Sequence, residues 1–327
     1  MIVMKTLNKK SKVTPKVTSK VTPSAKTAST SSHSPAWLDA QYNNRALVPD
    51  HASYLARWKS TSLKARQETV CRLDVPYGDQ ADDFMNETLD IFPSTASHAP
   101  VLFFIHGGYW RSLDKSDHSF VAPPFTLQGA CVVIPNYALC PKTDGEAVTI
   151  PRITMQMVQA LVWTYRHIAK FGGDPKRITV VGHSAGGHLA AMLLACAWQV
   201  VAADLPVDLV KNAVSISGLF DLEPIRQTPF LKDSLKLTEQ DAAKASPVRL
   251  AAPIQGEKSG QLHCFVGADE SAEFIRQNAL LQAVWGKTAV PTVAKFEGRN
   301  HFSVLATLTQ QNGSVVHDTV LALLKKT

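Results

Sequence analysis

A serine between two glycines is the residue whose neighbouring sequence points most directly to a catalytic role. Ser184 lies in the sequence Gly-x-Ser-x-Gly, after a short apolar run and before a run rich in alanine and leucine. This order predicts a tight strand-to-helix turn that presents the serine hydroxyl as a nucleophile. Glycine is required at 182 and 186 because a Cβ there would clash with neighbouring strands, and the first N–H groups of the helix favour negative charge near the serine oxygen. On its own, the motif also fits an ordinary glycine-rich turn.

A histidine and two adjacent acids follow this serine in the order serine, acid, histidine that such a sheet requires. His301 is the predicted base, because it follows an apolar strand and precedes a helix, which places it at the strand ends. An acid must orient that base. Asp269 and Glu270 both follow the preceding strand, and spacing alone does not choose between them. Asp221 is an outside candidate that fits a turn or a helix cap better.

A His-Gly-Gly sequence after an earlier strand can supply an oxyanion hole. Such a hole needs backbone N–H groups aimed at the developing negative charge, and side chains would obstruct that approach. The strand predicted at 101–105 leads into Gly107 and Gly108. We expect the donors to be the N–H of one of these glycines and the N–H of Ala185.

Aromatic and imidazole side chains beside these loops are candidates for substrate contacts. Tyr109 and Trp110 follow the glycine pair, and His183 precedes the serine. With Phe220 and an amphipathic helical segment over 37–67, they are expected to line an acyl or aromatic pocket. Aromatic residues near a sheet are also typical of plain core, and His183 suits a structural role as well.

Short apolar runs alternate with helical stretches from position 101 onward, which predicts a mostly parallel central sheet with helices on both faces. Two earlier runs, 69–75 and 87–92, are predicted strands joined by a turn. The later strands are expected at 101–105, 130–134, 178–181, 213–216, 262–266 and 292–296, and the helices between them at 154–170, 185–198, 272–285 and 315–325. The interval 223–259 has no clear strand and is a candidate cap or lid insertion.

Charge divides the 327-residue chain into a basic tail and a neutral body. Residues 1–36 hold seven lysines and no acid, which leaves 27 basic and 27 acidic residues in the remainder. Such a low-complexity segment is expected to be disordered over 1–35, followed by one α/β domain over 36–327. The neutral body gives no reason to expect nucleic-acid binding by the domain.

The cysteines indicate a reducing compartment, and the hydropathy indicates neither a membrane span nor a secretory signal. The five cysteines are scattered, odd in number and without metal-ligand spacing. No apolar run approaches the length needed to span a membrane, and the N-terminus lacks the apolar stretch of a secretory signal. We therefore expect a cytoplasmic protein with no metal, no other cofactor and no membrane span.

Six segments spread along the chain carry a family resemblance: Tyr42–Arg45, His106–Trp110, Phe171–Pro175, Gly182–Leu189, Ser217–Leu222 and Glu270–Gln277. Together they resemble the α/β-hydrolase branch that contains the serine-type kynurenine formamidases, or arylformamidases. The resemblance implies the α/β-hydrolase fold, Ser184 as nucleophile, His301 as base and Glu270 as the favoured acid, whereas the spacing in other esterase branches favours Asp269. The chain departs from the branch at Ala138, where relatives often have arginine.

The residues and the resemblance together imply a serine hydrolase that works through an acyl-enzyme. The substrate implied by the resemblance is N-formyl-L-kynurenine, cleaved to kynurenine and formate. The alternative is a carboxylesterase acting on short-chain acyl esters. A more distant alternative is a catalytically inactive ligand-binding protein with the same fold. The expected partner is a small ester or formamide, and a homodimer is left open.

Overall fold

The structure, a computed structural model, describes residues 33–78, 86–141, 147–253, 260–311 and 313–326. Its strands are β1 Arg72–Pro76, β2 Thr88–Phe92, β3 Ala99–Ile105, β4 Cys131–Pro135, β5 Gly173–His183, β6 Val210–Ile216, β7 Gln261–Gly267 and β8 Thr292–Phe296. They form one sheet in the order β1-β2-β4-β3-β5-β6-β7-β8. The pairings of β1 with β2 and of β2 with β4 are antiparallel, and all others are parallel.

The inner strands are buried on both faces, as their continuous apolar sequence requires. In β3, Val101, Phe103 and Ile105 belong to one core cluster. Leu102 and Phe104, between them, belong to another. Because successive side chains of a strand point to opposite faces, this one strand contributes to a separate core on each side of the sheet.

Helices cover both faces. They are α1 Pro35–Tyr42, α2 Asn44–Leu47, α3 His51–Glu68, α4 Ala122–Thr126, α5 Ile150–His167, α6 Ala185–Leu194, α7 Trp198–Val201, α8 Glu223–Gln227, α9 Pro229–Leu235, α10 Glu239–Ala245, α11 Ala272–Ala289, α12 Ala306–Thr309 and α13 Val315–Lys326. Buried apolar side chains of α5, α6 and α11 join one core cluster, and those of α3, α4 and α13 join the other. The predicted mostly parallel sheet with helices on both faces is confirmed.

The segment predicted as one helical stretch over 37–67 is divided into three helices. Asn43 ends α1 and caps α2, because its side chain accepts a hydrogen bond from the N–H of Ala46 at 3.2 Å. Pro49 lies between α2 and α3, where its missing N–H and the restriction on the residue before it interrupt a helix.

The interval 223–259, predicted as a cap or lid, contains α8, α9 and α10. It packs against the N-terminal helices, since the N–H of Phe230 donates to the Asp39 carboxylate in α1 at 3.0 Å. Residues 254–259 of this interval lie outside the described residues, and motion as a lid stays a prediction.

The boundary of the predicted tail lies close to the start of α1. This helix begins at Pro35, and the hydroxyl of Ser34 accepts a hydrogen bond from the N–H of Trp37 at 3.2 Å. Residues 1–32 of the predicted tail lie outside the described residues. No helix in the described part of the chain combines the length and apolar character that crossing a bilayer would require.

The carboxyl ends of four parallel strands bring the predicted site residues to one edge of the sheet. β3 leads into Gly107 and Gly108, β5 into Ser184, β7 into Glu270 and β8 into His301. Because neighbouring parallel strands end at the same edge, residues far apart in sequence meet there.

Candidate active site

Ser184 lies in a strained turn between β5 and α6. Its φ is 56° and its ψ is −118°, a conformation that a non-glycine residue keeps only where its surroundings impose it. A Cβ at Gly182 would collide with the backbone of Gly186, and a Cβ at Gly186 would collide with the carbonyl oxygen of Ile105. Glycine at both positions therefore allows the turn to lie directly against the end of β3.

Ser184, His301 and Glu270 form a continuous chain of hydrogen bonds. Ser184 Oγ lies 3.1 Å from His301 Nε2, and His301 Nδ1 lies 2.7 Å from Glu270 Oε2. All three residues are buried. Since Nδ1–H donates to the carboxylate, Nε2 is left as the acceptor for the serine proton. The arrangement can activate the hydroxyl as a nucleophile.

Glu270 is held by two further donors, both on its other oxygen. Its Oε1 accepts from the N–H of Gly267 at 2.8 Å and from the hydroxyl of Ser217 at 2.5 Å. The side chain of Asp269 is exposed and lies outside this chain of hydrogen bonds. Asp221 accepts a hydrogen bond from a backbone N–H two residues further on, as expected of a turn residue.

Ser217 belongs to the site although the sequence did not single it out. It follows β6 with a φ of 53°, in the left-handed region, and its N–H donates to the carbonyl of Phe265 at 2.7 Å. These two constraints fix the backbone from which its hydroxyl reaches Glu270. The available signal was its position directly after the strand predicted at 213–216.

His183 supports the loop that carries His301. Its Nε2–H donates to the carbonyl of His301 at 2.9 Å. Burial and the neighbouring His301 ring lower the pKa of His183 well below its ordinary value, so the ring stays neutral and Nδ1 carries no proton. The ring of Trp58 meets His183 edge-on, with centroids 6.0 Å apart.

The glycine loop and the start of α6 both adjoin the serine. A Cβ on Gly107 would lie 3.0 Å from Ser184 Cβ and 2.9 Å from the carbonyl oxygen of His183. Gly108 has a φ of +106°, which favours glycine. Helix α6 begins at Ala185, whose N–H therefore has no acceptor within the helix. Backbone N–H groups from two directions are what an oxyanion hole requires.

His106 and Tyr137 hold the glycine loop from its buried side. Their rings stack with centroids 4.2 Å apart and planes 11° apart. The Tyr137 hydroxyl lies 3.0 Å from the carbonyl oxygens of both His106 and Gly107. His106 Nε2 lies 3.0 Å from the side-chain oxygen of Asn136. These contacts restrict the loop to one arrangement.

A cavity of about 200 Å³ opens at Ser184. Tyr109 and His183, both predicted to contact a substrate, line it. Trp110 does not, because its side chain is fully buried and meets the ring of His188 edge-on at 5.1 Å. The two aromatic residues diverge because the loop turns sharply at both, with φ of 52° and 54°. The substrate contact predicted at Trp110 is therefore not found.

The rest of the cavity wall comes from separate parts of the chain. Leu55 and Trp58 of α3 belong to the helical segment that was expected near a pocket. Asn43, Asn44 and Arg45 come from the same predicted segment, and Gly108 comes from the predicted glycine loop. The members that were not foreseen, because nothing in the sequence joins them, are Arg111, Ser112, Leu113, Phe230 and Phe302, beside Ser184 and His301.

The sheet, the strained serine turn and the hydrogen-bonded partners at its edge define a hydrolase of the α/β-hydrolase fold. The model of the Carboxylesterase family matches residues 82–229. The kynurenine formamidase of Danio rerio is 30% identical over 287 residues, which cover 86% of this chain and 90% of that protein. The chain belongs to the kynurenine formamidase family.

A second relative and a solved structure are also similar to this chain. The kynurenine formamidase of Salmo salar is 31% identical over 243 residues, 73% of this chain and 77% of that protein. A solved structure from Silicibacter sp. TM1040, described as that of a thioesterase, matches with a TM-score of 0.71 and 29% sequence identity, and the match covers 86% of this chain and 97% of that one.

Proposed function

We propose that the protein is a kynurenine formamidase, which hydrolyses N-formyl-L-kynurenine to kynurenine and formate. The observation that carries the proposal is the hydrogen-bonded chain from Ser184 through His301 to Glu270 beside a cavity. The family relationship then supports an aryl formamide as the substrate.

The proposed reaction begins with attack of Ser184 Oγ on the formyl carbon. His301 Nε2 takes the hydroxyl proton as the O–C bond forms, and Glu270 stabilises the imidazolium that results. Collapse of the tetrahedral intermediate breaks the C–N bond. His301 returns the proton to the aniline nitrogen, which leaves as the amine of kynurenine.

The second half of the reaction releases formate. A water molecule attacks the formyl ester on Ser184 while His301 Nε2 takes one of its protons. The bond from carbon to Ser184 Oγ breaks, and His301 returns the proton to that oxygen. Formic acid is released and ionises to formate, and the enzyme is restored.

The oxyanion of both intermediates needs donors beside the serine. We assign the N–H of Ala185 and that of Gly107 or Gly108. The closeness of Gly107 to Ser184 supports this assignment. One such donor contributes about 3 kcal/mol of transition-state stabilisation.

A carboxylesterase for short acyl chains is the second candidate. The Carboxylesterase family match favours it, because the matched residues include both the glycine loop and the serine turn. The same residues would cleave an ester by the same steps, with an alcohol leaving in place of an amine. A silent ligand-binding protein is disfavoured, because the serine, the base and the acid are all present and connected.

Initial rates on one preparation would separate the candidates. N-formyl-L-kynurenine and p-nitrophenyl acetate are the two substrates, and Ser184→Ala is compared with Ser60→Ala, a serine exposed on α3. We expect a higher kcat/KM for the formamide, and a loss of at least about 10³-fold on both substrates in Ser184→Ala alone. Efficient ester cleavage with little formamide cleavage would establish the carboxylesterase, and no turnover of either would favour the binding protein.

We also propose that the enzyme acts in the cytoplasm, since all five cysteines are unpaired thiols. Fractionation of source cells would test this, because recovery of the protein in a compartment rich in disulfides would contradict it. Sedimentation of the purified protein would decide the homodimer that the sequence leaves open.

A further inference from the structure

Two arginines contribute positive charge to the wall of the cavity. Among the described residues that line it, Arg45 and Arg111 supply guanidinium groups, and neither aspartate nor glutamate is present. Arg45 is exposed at α2 and Arg111 is half-buried after the glycine loop. Two like charges beside one small cavity repel each other unless an anion lies between them.

Neutral groups hold Arg111 in place. Its Nη1 donates to the carbonyl of Phe230 at 3.1 Å and to the hydroxyl of Ser234 at 2.8 Å. Its Cζ lies 5.3 Å from the centroid of the Phe230 ring. These contacts orient the guanidinium without neutralising it. Both hydrogen bonds use one nitrogen, so donors on the other two remain for a planar anion.

Among the described residues that line the cavity, none places a carboxylate beside Arg111. Burial lowers the pKa of Arg111, and the neighbouring Arg45 lowers it further. The nearby phenol of Tyr109 stays neutral, because burial raises its pKa well above its ordinary value. Its hydroxyl donates to the carbonyl of Tyr42 at 2.6 Å.

We propose that Arg111 and Arg45 bind the carboxylate of an amino-acid substrate whose formamide carbonyl lies at Ser184. This inference rests on the proposed function and adds to it the basis of substrate choice. N-formyl-L-kynurenine carries an α-carboxylate at the end of the chain attached to its aromatic ring, and guanidinium groups match that anion in charge and in planar geometry. Neutral esters and neutral aryl formamides lack the group that the arginines recognise.

The test compares two formamides that share the bond to be cleaved. One is N-formyl-L-kynurenine, and the other is 2-formamidoacetophenone, which has no amino acid and no charge. The quantity measured is the ratio of their kcat/KM values in wild type, Arg45→Gln, Arg111→Gln and Arg111→Lys. Arg57→Gln, an exposed arginine on α3 outside the cavity wall, is the matched control.

We expect this ratio to fall about 10- to 100-fold in each glutamine variant, the effect of losing a hydrogen bond to a charged group. The loss should lie in KM for N-formyl-L-kynurenine, and Arg111→Lys should recover part of it. The ratio should be unchanged in Arg57→Gln. The proposal is overturned if Arg45→Gln, at an exposed site, and Arg111→Gln both lose kcat/KM equally on the two formamides. It is also overturned if neither variant loses kcat/KM on either formamide.

A second measurement separates failure of this inference from failure of the proposed function. If wild type does not cleave N-formyl-L-kynurenine, the formamidase proposal fails. The compound is then tested as an inhibitor of p-nitrophenyl acetate hydrolysis. Competitive inhibition of wild type that is weakened at least tenfold in Arg45→Gln supports the carboxylate site. Inhibition that is equal in wild type and Arg45→Gln, or absent from both, rejects it.

Discussion

Replacing Glu270 with glutamine should move the ring proton of His301 from Nδ1 to Nε2. The effect is then larger than a weaker hydrogen bond between the two side chains. Oε1 of Glu270 accepts from two donors, the N–H of Gly267 and the hydroxyl of Ser217, whereas Oε2 faces His301 Nδ1. In the Glu270→Gln variant, the amide oxygen must therefore occupy the Oε1 position. This places the amide NH₂ against Nδ1, which then becomes an acceptor, and the ring proton moves to Nε2, opposite Ser184.

The expected loss follows from this reversal. A ring that carries its proton on Nε2 cannot take the serine proton, and amide replacement of a triad acid costs about 10⁴-fold in kcat where the imidazole adopts the wrong tautomer. At about 1.4 kcal/mol for each factor of ten, this corresponds to about 5 kcal/mol of transition-state stabilisation. KM should change little, because Glu270 is absent from the residues that line the cavity.

The assay is a pair of initial-rate series on N-formyl-L-kynurenine with Glu270→Gln and Asp269→Asn, each checked for an unchanged melting temperature. Asp269 is the matched control, because it is adjacent in sequence and its side chain is exposed. We expect Asp269→Asn to retain activity within about threefold, as a surface substitution away from the reacting groups does. A kcat within tenfold of wild type in Glu270→Gln, or a larger loss in Asp269→Asn than in Glu270→Gln, would contradict the role assigned to Glu270.

Three other predictions follow from distances and pKa values. Gly107→Ala should lower kcat about 100-fold on either substrate. The new Cβ would lie 2.9 Å from the carbonyl oxygen of His183, so the glycine loop must shift away from Ser184. Rates near wild type would contradict this. Ser217→Ala should lower kcat/KM about tenfold, because Glu270 loses its 2.5 Å hydrogen bond; steady-state kinetics measure it, and an unchanged kcat/KM would count against the proposed role. Burial lowers the pKa of His188 to about 4. Between pH 6.5 and 4, the unfolded chain therefore binds a proton that the folded chain does not. Acidification in this range should lower the free energy of unfolding by about 1.4 kcal/mol per pH unit. Urea unfolding from pH 7 to 5 should show a shallower pH dependence in His188→Asn than in the exposed control His98→Asn, and equal slopes would exclude this contribution.

The sequence predicted the elements of the fold well because the inner strands are continuous apolar runs, most of them separated by helices. It also predicted which loops would approach Ser184, since the order of parallel strands places their carboxyl ends at one edge. The acid could not be chosen by spacing, because Asp269 and Glu270 are adjacent and differ only in the direction that the turn after β7 gives each side chain. That direction depends on hydrogen bonds to Gly267 and Ser217.

The parts of the site that the sequence did not predict are contacts between distant segments. Arg45 and Arg111 line the same cavity although they are far apart in sequence. Arg45 lies in a segment that carries the family resemblance, but neither arginine was singled out as a substrate contact. Trp110 illustrates the opposite error, since its position next to Tyr109 suggested a shared role. The positive φ of both residues sends one ring to the cavity and the other into the core.

The hydrogen bond from the Tyr42 hydroxyl to Glu273, 2.6 Å long, has a consequence for synthesis of the chain. It joins α1 to α11 across 231 positions of sequence, and α2 with its cavity-lining Arg45 directly follows α1. During translation, the segment that forms this wall leaves the ribosome long before the helix that anchors it. The pocket is therefore completed only after α11, and then His301 and Phe302, have emerged. Contacts between such distant segments form late, because the intervening chain must be made and closed into a loop first.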